Sequence, residues 1–184
     1  ALEVLPDTPA PDAVKVAHWE EAPTPVAAET RCSMEVAMPT FSLAFKCPPA
    51  GVGDAAIRQE MVADLAAEAL FGESSELYLR LYEQGLIDSS FGGGFETLED
   101  CAMLCAGGDS DHPEQVRDEI CREAERLAAQ GIDESAFLRM KRSALGRRIR
   151  GLDSMDGTAF QVCAYHYAGF DYFRFPEIYR EITA

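Results

Sequence analysis

The chain has 184 residues, 47% of them hydrophobic and 26% charged, and a formal net charge of −16. That balance is globular rather than disordered or fibrous, and so acidic a surface repels phosphate backbones and anionic bilayers, which argues against nucleic acid and membrane as partners. No run reaches the ~18 apolar residues of a membrane helix, no basic-then-apolar leader opens the chain, and the first residue is Ala1 rather than Met, as in a processed product or a fragment. The expectation is a soluble cytoplasmic protein kept dispersed by its charge.

Eight of the ten prolines fall within the first 49 residues. Proline removes backbone donors and blocks helix, so residues 1–28 read as a lead-in or linker holding at most a short strand at Val14–Val16. Thr30–Val36 and Thr40–Cys47 read as strands. Asp54 caps a helix to about Phe71, with Ile57, Met61, Leu65 and Leu70 at helical spacing. Ser74 or Ser75 opens a second, short helix that Gly85 stops. Residues 86–96 and 98–106 read as two strands, with Gly92–Gly94 marking a bulge or a close backbone approach in the first. Pro113 opens a helix ended by Gly131. Asp133 caps the next, with a buried stripe of Phe137, Leu138, Ala144, Leu145, Ile149 and Leu152. A further helix covers 155–168, and Glu177–Ile182 forms a last helical turn. Strands, two helices, a strand pair and then helices give an α+β two-layer sandwich, a mostly antiparallel sheet with helices packed on one face.

The residues that carry chemistry are sparse. The six cysteines (32, 47, 101, 105, 121 and 163) include no C-x-x-C pair. They read as free, buried thiols of a reducing cytosol, with Cys101 and Cys105 on one face of a strand. There is no phosphate-binding G-x-x-x-x-G-K-S/T loop and no G-x-S-x-G elbow. His18, with Glu21 three places on, begins an inverted His-x-x-Glu-His motif that Ala22 and Pro23 leave incomplete. His112 and His166 have no such neighbours, so no zinc site can be assembled from these motifs. The segment RMKRSALGRRIR (139–150) gathers six of the 16 basic residues. It reads first as a solvated helix face beside Asp133 and Glu134, and otherwise as a docking surface for an acidic partner. Composition and spacing alone lead to an α+β domain without a visible catalytic apparatus.

Two stretches add a resemblance. LFGESSELYLRLYEQGLIDSSFGGGF (70–95) carries Gly72, Ser74, Ser75, Leu77, Tyr78, Gly85 and Leu86. AQGIDESAFLRMKRSALGRRI (128–149) carries Gly131, Ile132, Glu134, Phe137 and Lys141. In order and spacing they resemble the non-catalytic half-domain of pitrilysin/insulinase-type zinc metallopeptidases, the group that includes the mitochondrial processing peptidases, and the similarity runs from about Met38 to the end. The resemblance implies an inactive half-domain over residues 29–184, cut short at its C-terminus. Its partner would be a catalytic half-domain, in the same chain or a sister subunit, that carries His-x-x-Glu-His and the zinc, so this chain would need no cofactor and have no activity alone. It also implies an unfolded peptide substrate held between the two halves, and leaves room for a homodimer. Such half-domains often supply an Arg and a Tyr that face the substrate. Here those places hold Leu81 and Asp88, with Arg80 one residue away, so the implied contact set is Arg80, Asp88 and the strand through Phe91. The alternative is an interaction or scaffold module from a degenerate relative with no proteolytic role.

Overall fold

The computed structural model describes residues 22–49, 51–98, 101–167 and 169–183. Strand β1 (Thr40–Cys47) precedes α1 (Asp54–Phe71) and α2 (Glu76–Glu83), then β2 (Gly92–Leu98) and β3 (Cys101–Asp109). The helices α3 (Pro113–Gln130), α4 (Glu134–Gly151), α5 (Met155–Tyr167) and α6 (Phe175–Ile182) follow, with a 3₁₀ turn at Tyr172–Arg174 before the last. The strands form one antiparallel sheet in the order β1-β3-β2. The fold is thus the expected α+β arrangement of antiparallel sheet and helices.

Alternation sets the faces of the sheet. In β1, Phe41, Leu43 and Phe45 turn toward the core, while Thr40, Ser42, Ala44 and Lys46 are exposed. Opposite them in β3, Leu43 pairs with Ala106 and Phe45 with Leu104, and Ala102 and Ala106 are buried.

α1 is apolar on two faces because two cores share it. Its second half gives Ala67, Leu70 and Phe71 to a cluster with Leu77, Leu81, Phe91, Val116 and Ile120, under the sheet. Its first half gives Ile57, Met61 and Leu65 to a cluster with Phe170, Phe175, Ile178 and Tyr179. α4 contributes no buried residue. Phe137, Ala144 and Leu145 lie partly buried against the second cluster, whereas Leu138, Ile149 and Leu152 of the expected stripe are exposed. α4 is held instead by polar ties: Arg148 reaches Glu60 at 3.0 Å and Asp64 at 3.3 Å, Arg147 reaches Glu68 at 3.0 Å, and the Tyr179 hydroxyl donates to the Lys141 carbonyl at 2.7 Å. The carboxylates that hold this basic helix therefore come from α1, not from Asp133 and Glu134.

Several expectations are corrected. Thr30–Val36 forms no strand; every residue from 22 to 40 is exposed, and a strand without a partner edge leaves its backbone groups unpaired. β2 begins at Gly92, because residues 86–91 are spent on a loop. Of the two serines Ser75 caps α2, its hydroxyl accepting from the Tyr78 N–H at 3.0 Å, whereas Asp54 does not cap α1: Gly53 holds that place and no side chain caps it. All six cysteines are free, but none is buried; Cys32 and Cys163 are exposed and the rest half-buried. Val14–Val16 and His18 lie outside the described residues.

Candidate functional site: the edge strand and its groove

The short path from α2 to β2 is tightly specified. Leu77 and Leu81 are fully buried, the Leu86 N–H returns to the Leu81 carbonyl at 2.9 Å, and Gly85 takes φ +67° to make that turn. The loop is then tied to the end of β3. The Asp88 carboxylate accepts from the Ser90 N–H at 2.7 Å and from its hydroxyl, and the Asp109 N–H donates to the Ser90 Oγ at 2.9 Å. These bonds hold the Asp88 carboxyl below its usual range. The Ser110 hydroxyl donates to the Leu86 carbonyl at 2.6 Å.

Phe91 ends the loop, and its side chain is 5% exposed. It stacks on Phe41 at 6.3 Å, meets Phe71 edge-on at 6.2 Å and lies 6.0 Å from Tyr78. Its ring is a floor for the strand that follows rather than a surface contact. That strand starts with three glycines, and they differ. A Cβ on Gly93 would come within 2.4 Å of the Phe71 ring and 2.5 Å of the Cys105 carbonyl, so β2 approaches α1 as closely as a glycine allows. A Cβ on Gly92 or Gly94 would meet nothing.

Among the described residues β2 pairs on one side only, with β3. An edge strand offers a row of backbone donors and acceptors. Beside it runs an open groove of about 660 Å³, with Phe71, Phe91 and Gly92–Gly94 on one side and Ala144, Arg147 and Arg148 of α4 on the other. The charges at its α4 side are mutually tied through Glu60, Asp64 and Glu68. Burial and the neighbouring Glu60 charge push the Asp64 carboxyl up, with Arg148 opposing. Burial, helped by a hydrogen bond to Glu60, pushes the Tyr165 hydroxyl up to about 12. The place offers backbone pairing groups, open space above two glycines and a polar wall.

The contact residues read from the sequence fall in two places. Asp88 is exposed and Phe91 leads directly into β2. Arg80 lies on α2 toward α3, 3.4 Å from both Glu119 and Glu123, with 38% of its side chain exposed. Leu81, which stands where the family places an arginine, is in the core. Sequence reasoning missed Arg147 and Arg148 as the far wall of the groove. The basic run was visible, but not which members of it turn inward.

Among the described residues, no group of three or more His, Cys, Asp or Glu gathers as a metal ion would need. His112 and His166 are exposed and belong to separate elements, so these side chains do not fit a zinc site. No described helix is long and apolar enough to cross a membrane.

Comparison with known proteins agrees with this architecture. A Bacillus subtilis (strain 168) protein described as an uncharacterized zinc protease, YmfH, is 28% identical over 139 residues, which is 73% of this chain and 31% of that protein. A crystal structure of an M16-like peptidase from Alicyclobacillus acidocaldarius superposes with a TM-score of 0.63 at 28% identity, covering 67% of this chain and 29% of that one. A protease structure from Helicobacter pylori superposes with a TM-score of 0.66 at 18% identity, covering 80% and 35%, and shows the shared fold. The chain spans about a third of the length of these relatives. The family described as the Peptidase M16 inactive domain matches residues 3–144, and the chain belongs to that family.

Proposed function

We propose that this chain is the substrate-cradling, non-catalytic half of a zinc-dependent peptidase. In the intact parent it would close against a catalytic half-domain, on the same chain or a sister subunit, which carries the zinc and its general base. An unfolded peptide would lie extended along β2, with Asp88 and Arg80 at the rim and the Phe91 ring bracing the strand from below. The observation that carries the reading is an edge strand whose outer side is unpaired among the described residues, with open space above Gly92 and Gly94 and a groove beside it. An extended peptide can add to such an edge by main-chain hydrogen bonds, gaining affinity without a defined sequence. The contribution is then positional: ordering the peptide lowers the entropic part of the barrier for chemistry performed opposite. The half-domain proper is placed at residues 29–184.

The test compares peptide hydrolysis by the purified chain with hydrolysis by the complete parent protein. The expected result is none from the chain and chelator-sensitive cleavage from the parent. Cleavage by the chain alone that survives chelation contradicts the reading.

A further inference from the structure

We propose that the outward face of α4 is a docking seat for an acidic amphipathic helix of a partner polypeptide. This does not depend on the peptidase reading; it uses another face of the molecule. In a chain of net charge −16, α4 carries six basic residues and one acidic residue, Glu134. The inward members are engaged: Arg147 and Arg148 with carboxylates of α1, and Lys141 with the Thr183 carbonyl. Arg139 bonds only the Ser135 hydroxyl, at 3.1 Å. The side chains of Arg142 and Arg150 are exposed and make no hydrogen bond or ion pair among the described residues.

Helical spacing puts Leu138, Arg142 and Ile149 on one line, with Leu145, partly buried against the second cluster, at its inner edge and Arg139, the half-buried Gly146 and Arg150 on its outer side. Leu138 is 40% and Ile149 55% exposed, so the line is apolar as well as basic. Gly146 sits in mid-helix, four residues from Arg142 on one side and from Arg150 on the other. A Cβ there would meet nothing, so no contact within the chain asks for glycine. α1 and α3 have the same 18 residues and contain none. Glycine is the poorest helix former after proline, and on an outward line it lets a second backbone come close. Flanking cations two turns apart, about 12 Å along the axis, match a crossing helix that presents one carboxylate on each side of its contact point. A helix touches only this patch. An anionic bilayer would meet the whole molecule's negative field, since screening acts over about 8 Å and the patch is small.

The probe is a fluorescein-labelled helical peptide of about 20 residues built from Leu-Glu-Glu-Leu-Ala-Glu-Glu repeats, titrated with the purified protein and followed by anisotropy. Saturable binding that weakens with salt is expected. The double variant Arg142→Glu/Arg150→Glu and, separately, Gly146→Leu should each weaken it by about tenfold or more, with the circular dichroism melt retained. Arg122→Glu, a single charge reversal of the same kind at an exposed place on α3, should bind as the native protein does. No saturable binding, or equal weakening by Arg122→Glu, overturns the proposal. So does a native dimer that Gly146→Leu disperses, which would make the occupant a second copy. Adsorption to phosphatidylglycerol vesicles that Arg142→Glu/Arg150→Glu abolishes overturns it in favour of a membrane surface.

Discussion

Glu123 shows how one side chain ties elements together. It is 4% exposed on α3 and accepts from Arg126 at 2.6 Å, while Arg80 of α2 approaches at 3.4 Å. Arg126 first, and Arg80 more weakly, pull its carboxyl below the usual range against the opposing effect of burial. The folded state then binds this proton less readily than the unfolded chain. The stabilisation is therefore full above the ordinary glutamate value near 4.3 and is lost as pH falls through the lower folded value. Glu123→Gln should cost about 1–3 kcal/mol at pH 7, because the amide keeps one acceptor oxygen but removes the buried charge that two arginines share. The cost should shrink by about pH 3. Urea midpoints for both proteins at the two pH values check this; an equal loss at both contradicts it. Arg80 accordingly has a structural task beside the contact proposed for it, and removing it tests two things at once, which makes it a poorer probe of substrate binding than the glycines of β2.

At the scale of elements, helices with strong punctuation were legible. Asp54, Pro113 and Asp133 mark helix starts and Gly72, Gly85 and Gly131 mark stops, and the observed ends agree closely. β1 was legible because its alternation is clean. Thr30–Val36 has a similar pattern but pairs with no strand among the described residues, and pairing is a tertiary fact. The loop at residues 86–91 was misread as strand because its apolar residues, Leu86, Ile87 and Phe91, are buried without forming a ladder, while Asp88, Ser89 and Ser90 make its turn. The basic run of α4 was legible as a solvated face or a docking surface, but helical spacing marks a face without saying whether anything covers it. In the candidate site, the glycines and Asp88 stood out in sequence, whereas the groove needs α4 alongside β2, which sequence spacing does not report. The glycines also make a prediction. Gly93→Ala should destabilise by about 1–3 kcal/mol through overpacking against Phe71, and Gly94→Ala should be nearly neutral. Thermal melts of the two variants decide it; equal losses would contradict the close approach assigned to Gly93 alone.

Among the described residues two hydrophobic clusters share one helical spine, α1. The first sits under the sheet and fixes β2; the second fixes α6 and, through α1, the position of α4. The groove lies where elements from the two regions meet, so its width depends on both packings. This half-domain is a third of its relatives' length, and the chemistry proposed for the parent lies elsewhere, which leaves β2 as the central claim. The measurement that tests it most directly is steady-state cleavage of an unfolded peptide by the complete parent protein carrying Gly94→Leu. The leucine enters open space, so the fold and the distant chemistry stay intact while the peptide's path along the strand is obstructed. The account predicts kcat/KM lowered about tenfold, because a peptide no longer ordered along the strand loses both binding and alignment. An unchanged kcat/KM, with the native melting temperature retained, would contradict it.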